Sequence, residues 1–217
     1  MRVPDRRLLL AVLAALAATV SSASPGSALG AETAAGSDPC AAAVWRDRLV
    51  AAGEPGEPLQ VSGTVFQPDG VTPAAGVIVY AYQTDASGHY ARLLRRSPRI
   101  RGWMRIGKDG RYEFRTIRPG PYPNRTTEAH IHTQLWGPGA PPQWGPDLLF
   151  ADDPLLPDAK RRESEALGRF AFVKSPVRRD DGVFETTLDI RLKKTGDRFE
   201  SNILHGVTPC GVKPLMR

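Results

Sequence analysis

Between Thr116 and Asn124 the chain reads Thr-Ile-Arg-Pro-Gly-Pro-Tyr-Pro-Asn. Each proline fixes its own φ and biases the residue before it toward extended geometry, so this stretch cannot be helical. Tyr122 is therefore carried on a stiff loop. That loop runs almost at once into Glu128-Ala129-His130-Ile131-His132. The histidines are spaced i, i+2; on a strand both imidazoles project from one face and Ile131 from the other. A phenol and two imidazoles delivered together are three candidate ligands for a hard or borderline metal ion.

The rest of the chain reads mostly as strands and turns. Gly 21 and Pro 20 in 217 residues favour short strands over long helices. The exception is Cys40–Gly53, which reads as a helix with Asp38 as N-cap, Pro39 at the first position and Gly53 as the stop. Leu59 to Gln67 alternates, with Val61, Gly63 and Val65 on one face. Gly76 to Gln83 is a Val/Ile/Tyr run suited to burial on both faces. Asp85-Ala86-Ser87-Gly88 turns the chain and presents His89-Tyr90. Trp103 to Ile106 and Tyr112 to Ile117 flank Lys108-Asp109-Gly110, a hairpin signature. The histidine strand runs from Glu128 to about Trp136, and Gly137 to Pro146 reads as a loop. A short strand at Asp147 to Ala151, a short helix at Asp158 to Leu167 over the site, and alternating segments at Phe170 to Lys174 and Phe184 to Leu192 follow. The expected fold is all-β: one antiparallel β-sandwich with a short N-terminal helix and long loops around a metal site.

The N-terminus reads as an export signal over 1–31. Arg2, Arg6 and Arg7 precede an apolar run from Leu8 to Val20, and small residues follow. The run is too short to span a bilayer comfortably, so stable membrane insertion is not expected. Either the general secretory or the twin-arginine route would place the protein outside the cytoplasm, in the envelope or beyond. A tail, helix and linker over 32–58 and a single domain over 59–217 complete the division. Cys40 and Cys210 are the only cysteines; in an exported chain such a pair favours a disulfide. The net charge of +6 is mild, and no basic run is interleaved with aromatics, which argues against nucleic-acid binding. Arginines between Tyr90 and Lys108, among them Arg92, Arg95 and Arg96, read as a solvated loop or as a positive rim for anionic aromatics.

The Pro119-Gly120-Pro121-Tyr122-Pro123 loop and Ala129-His130-Ile131-His132 together resemble the intradiol ring-cleavage dioxygenases, the protocatechuate 3,4-dioxygenase and catechol 1,2-dioxygenase group. Gly88-His89-Tyr90 matches that family's Gly-x-Tyr, and Phe150-Ala151-Asp152-Asp153-Pro154-Leu155 its Phe-x-x-Asp-Pro-Leu segment. The resemblance runs from about Val61 to about Leu192. It implies Tyr90, Tyr122, His130 and His132 as ligands of a non-haem Fe(III), with Tyr90 and His130 equatorial and Tyr122 and His132 axial. The donor chemistry agrees: a phenol with a free pKa near ~10 needs a strongly Lewis-acidic ion to ionise it. The implied partners are a small aromatic diol and O2. The implied reaction is ring cleavage to a cis,cis-muconate-type diacid, with displaced Tyr122 helping to take up a proton.

Two positions depart from the family pattern. Thr127 stands where an arginine usually stabilises charge on the ring, and Arg125 is the nearby candidate to replace it. Asp147 stands where a glutamine is common, with Gln143 and Trp144 as alternatives. Low activity on simple catechol, and better activity on larger catechols lying against Trp144, is the corresponding expectation. Two rival readings use the same residues. Val61 to Val65 with Gly76 to Val79 also resembles a non-catalytic, secreted transthyretin-like binding module, which lacks the Tyr/His/His set. A cupin-like site would join His130 and His132 to His89 or His205 and to Glu128.

Overall fold

Alternation along β2 (Pro58–Phe66) and continuous burial along β3 (Ile78–Gln83) nucleate two different sheets. The computed structural model describes residues 46–91 and 98–199, all within one compact unit. The expected signal segment, Cys40 and Cys210, His205 and the arginines at 92, 95 and 96 lie outside the described residues.

The first sheet runs β1 (Arg46–Arg48), β5 (Arg111–Ile117), β2, β11 (Phe184–Thr187), β10 (Val177–Arg178), with β12 (Ile190–Arg191) beside the end of β2. The second runs β4 (Ile100–Arg105), β3, β6 (His130–Gly137), β8 (Leu148–Phe150), β9 (Val173–Lys174), with β7 (Ala140–Trp144) against β6. One core lies between them. Val61, Val65, Tyr112 and Phe114 of the first sheet meet Val79, Ala81, Met104, Ile131, Leu135 and Phe150 of the second, all essentially free of solvent. This is the expected sandwich. The sheets are mixed rather than purely antiparallel: β2–β5, β3–β4 and β3–β6 are antiparallel, whereas β1–β5, β2–β11, β2–β12 and β8–β9 are parallel.

Three local expectations are corrected. The described part of the predicted helix Cys40–Gly53 opens with a strand: Arg46–Arg48 pairs with Glu113–Arg115, and Leu49 N–H donates to Arg115 O at 2.9 Å. The Asp47 carboxylate accepts the Trp103 N–H at 3.2 Å, so this strand also ties the first sheet to the second. Such tertiary pairing overrides a helix propensity worth only tenths of a kcal/mol per residue. The segments around Lys108-Asp109-Gly110 do not form a hairpin. The turn is present, with Gly110 N–H donating to Gly107 O, but β4 pairs with β3 while β5 pairs with β2. The chain there crosses between sheets. Finally, the stretch Gly137 to Pro146 is largely a strand, with Gln134 opposite Trp144 and Gly137 opposite Ala140. Its two prolines are tolerated because β7 pairs with β6 alone.

The predicted helix at Asp158 to Leu167 is present as α1 (Asp158–Ala166). Buried Ser164 on it accepts the N–H groups of Phe172 and Val173, which leads the chain into β9.

Candidate metal centre

The two tyrosines arrive on loops that are stitched to each other. In the first, the Asp85 carboxylate accepts the N–H groups of Ser87 and His89 at 3.0 and 3.1 Å, and Gly88 N–H donates to Asp85 O at 2.9 Å. In the second, Gly120 N–H donates to Asp85 O at 2.9 Å while the Thr84 hydroxyl donates to Gly120 O at 2.8 Å. The loops approach so closely that a Cβ on Gly88, where φ is +86°, would lie 2.0 Å from Pro121 O. One on Gly120 would lie 2.5 Å from Ala86 O. Glycine is required at both places because nothing larger fits.

The histidines arrive on β6, whose register puts His132 opposite Tyr82 and Ile131 opposite Gln83. The start of this strand is held by a residue to which the sequence motif by itself gives no role. Asp153 accepts Ala129 N–H at 2.7 Å and Leu155 N–H at 2.8 Å, so the Asp-Pro segment fixes the backbone next to His130. Beside it, Arg118 of the proline loop makes a bidentate pair with Asp152 at 2.8 and 2.5 Å. The Phe150–Leu155 segment therefore braces both halves of the site.

Four donor atoms converge. Tyr90 Oη lies 2.8 Å from Tyr122 Oη, 2.9 Å from His132 Nε2 and 3.3 Å from His130 Nε2; the two Nε2 atoms are 3.0 Å apart. Both rings are fixed from behind. His130 Nδ1 faces Glu128 O at 2.7 Å, and His132 Nδ1 faces Asp147 Oδ1 at 2.7 Å. A carbonyl and a carboxylate only accept, so both Nδ1 atoms carry a hydrogen, and in the neutral imidazoles that a metal requires both Nε2 atoms present lone pairs. Two lone pairs then oppose each other across 3.0 Å, and the single Tyr90 hydroxyl hydrogen can serve only one of them. A cation between them resolves the conflict. A first-row ion holding N and O donors at roughly 2.0–2.1 Å sets donors at right angles roughly 2.9 Å apart, which is the spacing found.

The electrostatics suit such an ion. Burial, reinforced by neighbouring His132, holds His130 below the ordinary histidine range and hence neutral. Burial and the hydrogen bond with Tyr122 push the Tyr90 phenol well above its ordinary value. That phenol ionises only beside a strong positive charge. Tyr82, buried beneath the site with its ring 4.7 Å from that of His132, is raised by burial too.

Other candidates lie elsewhere. Arg125 sits on an exposed turn in the left-handed region (φ 53°), its N–H donating to Tyr122 O at 2.7 Å; no hydrogen bond joins its guanidinium to the four donor residues. Thr127 is half-buried. Gln143 is turned away from the site: its amide oxygen accepts Lys193 N–H at 2.7 Å and its nitrogen donates to Pro141 O. Trp144 flanks the site, its ring 5.6 Å from that of His132. Among the described residues the cupin-like set does not assemble. His89 is exposed with Nδ1 at 3.1 Å from Ser87 Oγ, and the Glu128 carboxylate faces Lys160. Among the described residues no cluster of three or more His, Cys, Asp or Glu side chains suited to a metal ion occurs. A cleft of about 650 Å³, lined by Gly88, His89, Tyr90, Ala91, Tyr122, Pro123 and Asn124, opens over the two tyrosines.

A family model described as Dioxygenase matches residues 42–194. The chain belongs to the intradiol dioxygenase family. Among curated relatives of this family, 6-chlorohydroxyquinol 1,2-dioxygenase of Cupriavidus pinatubonensis is 30% identical over 171 residues, covering 67% of this chain and 57% of the relative. The protocatechuate 3,4-dioxygenase beta chain of Burkholderia cepacia is 34% identical over 117 residues, covering 48% and 49%. The chain thus spans about half the length of the curated relatives it matches. Among solved structures, the dioxygenase domain of a dioxygenase carbohydrate-binding protein fusion from Streptomyces sp. SirexAA-E has 34% identity and a TM-score of 0.52, covering 67% of this chain and 85% of that one. The 3-chlorocatechol 1,2-dioxygenase of Rhodococcus opacus 1CP shares the fold at a TM-score of 0.54, with 21% identity and coverage of 68% and 64%.

Proposed function

We propose that the chain is a non-haem ferric intradiol dioxygenase that cleaves a catechol-type aromatic with O2 to a cis,cis-muconate-type diacid. The observation that carries this reading is the convergence of two phenol oxygens and two opposed imidazole lone pairs, with both Nδ1 atoms already committed. Phenol and imidazole without thiolate suit a hard, highly charged ion better than zinc, which favours tetrahedral N/S sets. Bound ferric iron would supply the Lewis acidity that ionises the aromatic diol and makes its ring reactive toward O2.

The protein's own groups divide the remaining work. Tyr90, His130 and His132 are assigned the fixed side of the site, where His130 is only 6% exposed. Tyr122 lines the open cleft, as Tyr90 does, on a proline-stiffened loop, and the family resemblance assigns it the part of yielding its place and accepting a proton from the incoming hydroxyl. Arg125, on the turn that follows Tyr122, is assigned the charge-stabilising part that Thr127 cannot perform. Trp144 offers an aromatic face to a larger substrate. The names of the chlorohydroxyquinol and protocatechuate relatives support an aromatic diol as the substrate class.

The test is oxygen uptake by the iron-loaded protein across a panel of catechols. The reading expects uptake with substituted or larger catechols to exceed that with catechol itself, and Arg125→Ala to lose most of kcat while keeping its colour. Unchanged kcat in Arg125→Ala removes that residue from the mechanism. Full iron occupancy with no uptake on any catechol would favour the binding-module reading instead. The same preparation tests the reading that the chain is exported, with a Cys40–Cys210 bridge. A mature protein recovered outside the cytoplasm should begin near Ala31 and yield one linked peptide pair; an intact N-terminus with two free thiols contradicts it.

A further inference from the structure

The two histidines are backed by chemically different partners. His130 donates from Nδ1 to a neutral peptide carbonyl, whereas His132 donates from Nδ1 to the carboxylate of Asp147, each at 2.7 Å. Asp147 is held in place by the residue that follows His132. Thr133 O accepts Gly145 N–H at 3.0 Å, and the Thr133 hydroxyl donates to Pro146 O at 2.8 Å. Gly145 has no room for a side chain, since a Cβ there would lie 2.3 Å from Thr133 Oγ1. The His132 ring is also flanked by Tyr82 at 4.7 Å and by Trp144 at 5.6 Å. Among the described residues no lysine or arginine forms an ion pair with Asp147, whose side chain is 34% exposed.

We propose that Asp147 is a positioning residue that makes His132 the stronger of the two imidazole donors. Its carboxylate fixes the Nδ1–H tautomer and shares negative charge with the ring, which raises electron density at Nε2. The peptide carbonyl behind His130 fixes a tautomer without adding charge. Asp147 is thereby committed to His132 rather than to the substrate ring. This inference rests on the ferric reading of the site, and its consequence is a metal held more tightly and kept in the oxidised state.

Asp147→Asn keeps an acceptor oxygen and removes the charge; Asp147→Ala removes both. Three properties are to be read in each variant and in the wild type. They are iron affinity by chelator competition, the energy of the phenolate-to-iron absorption band, and the ferric/ferrous midpoint potential. The circular dichroism of the metal-free forms checks the fold. Loss of an outer partner of a metal-bound histidine typically weakens metal binding 10–100-fold. Asp147→Asn should lie near the lower end of that range and Asp147→Ala near the upper. In both, the band should move to longer wavelength and the iron should become easier to reduce. Asp147→Glu should recover part of each change. Iron affinity, band energy and potential all unchanged in the Asn and Ala variants overturn the proposal, while the wild type still binds ferric iron. A wild type that takes up no iron overturns it together with the ferric reading.

Discussion

The two faces of β3 and β6 are made by alternate residues of the same strands, yet they have opposite characters. The inner face carries Val79, Ala81, Ile131 and Leu135, all fully buried against the other sheet. The reverse face carries Tyr80, Tyr82, His130, His132, Gln134 and Trp136, and the four-donor site is assembled on it. Register couples the two faces: Tyr82 pairs with His132 as Ala81 pairs with Thr133. A slip of one residue would send the histidines into the core and Ile131 to the site. The aliphatic packing that stabilises the sandwich therefore also sets the positions of the imidazoles. The chemistry costs the core nothing, because it occupies the other half of each strand's side chains.

Separating these roles by mutation tests the contrast most strongly at adjacent positions. His132→Ala should abolish iron binding, with a loss beyond the roughly 100-fold that outer partners of metal-bound histidines can account for. The metal-free protein should keep its denaturation midpoint to within about 1 kcal/mol. Ile131→Ala, one residue away, should destabilise by roughly 2–5 kcal/mol through loss of buried volume. Its folded fraction should still take up one equivalent of iron. Equal stability losses in the two variants, or equal iron losses, would mean that the faces are not separable.

A smaller effect concerns pH. Burial and neighbouring His132 hold the His130 pKa below its unfolded value of 6.5. The unfolded chain therefore takes up a proton at this position before the folded one does. Its contribution to the stability of the metal-free protein is complete above about pH 6.5 and is lost as the pH falls through the folded pKa. Denaturant midpoints measured across that range should fall with acidification, and less steeply in His130→Gln. A slope that His130→Gln leaves unaltered would remove His130 as its source.

Much of this was legible in the sequence where the cause is local. The i, i+2 histidines, the alternation of β2 and the turn before Tyr90 follow from side-chain period and from Gly and Pro geometry. Partner choice was not legible. The Gly107–Gly110 turn satisfies every short-range hairpin rule, yet β4 and β5 leave it for different sheets because β3 and β2 offer them longer ladders. Two adjacent prolines hid β7, which needs few ladder bonds on its edge. In the site, the short bond from Leu155 N–H to Asp153 has an Asx-turn signal two residues long, but the bond from Ala129 spans the fold and has none. Arg125 is a candidate from its place in the chain alone; the fold leaves it on an exposed turn.

In the proposed site Tyr90 and Tyr122 bind ferric iron as phenolates together with His130 and His132. The most direct measurement is the visible absorption spectrum of the protein purified after iron-rich expression, with its metal content. The expected result is a red-brown protein holding one iron per chain, with a charge-transfer band that shifts in both Tyr90→Phe and Tyr122→Phe. A colourless protein carrying stoichiometric zinc would contradict it.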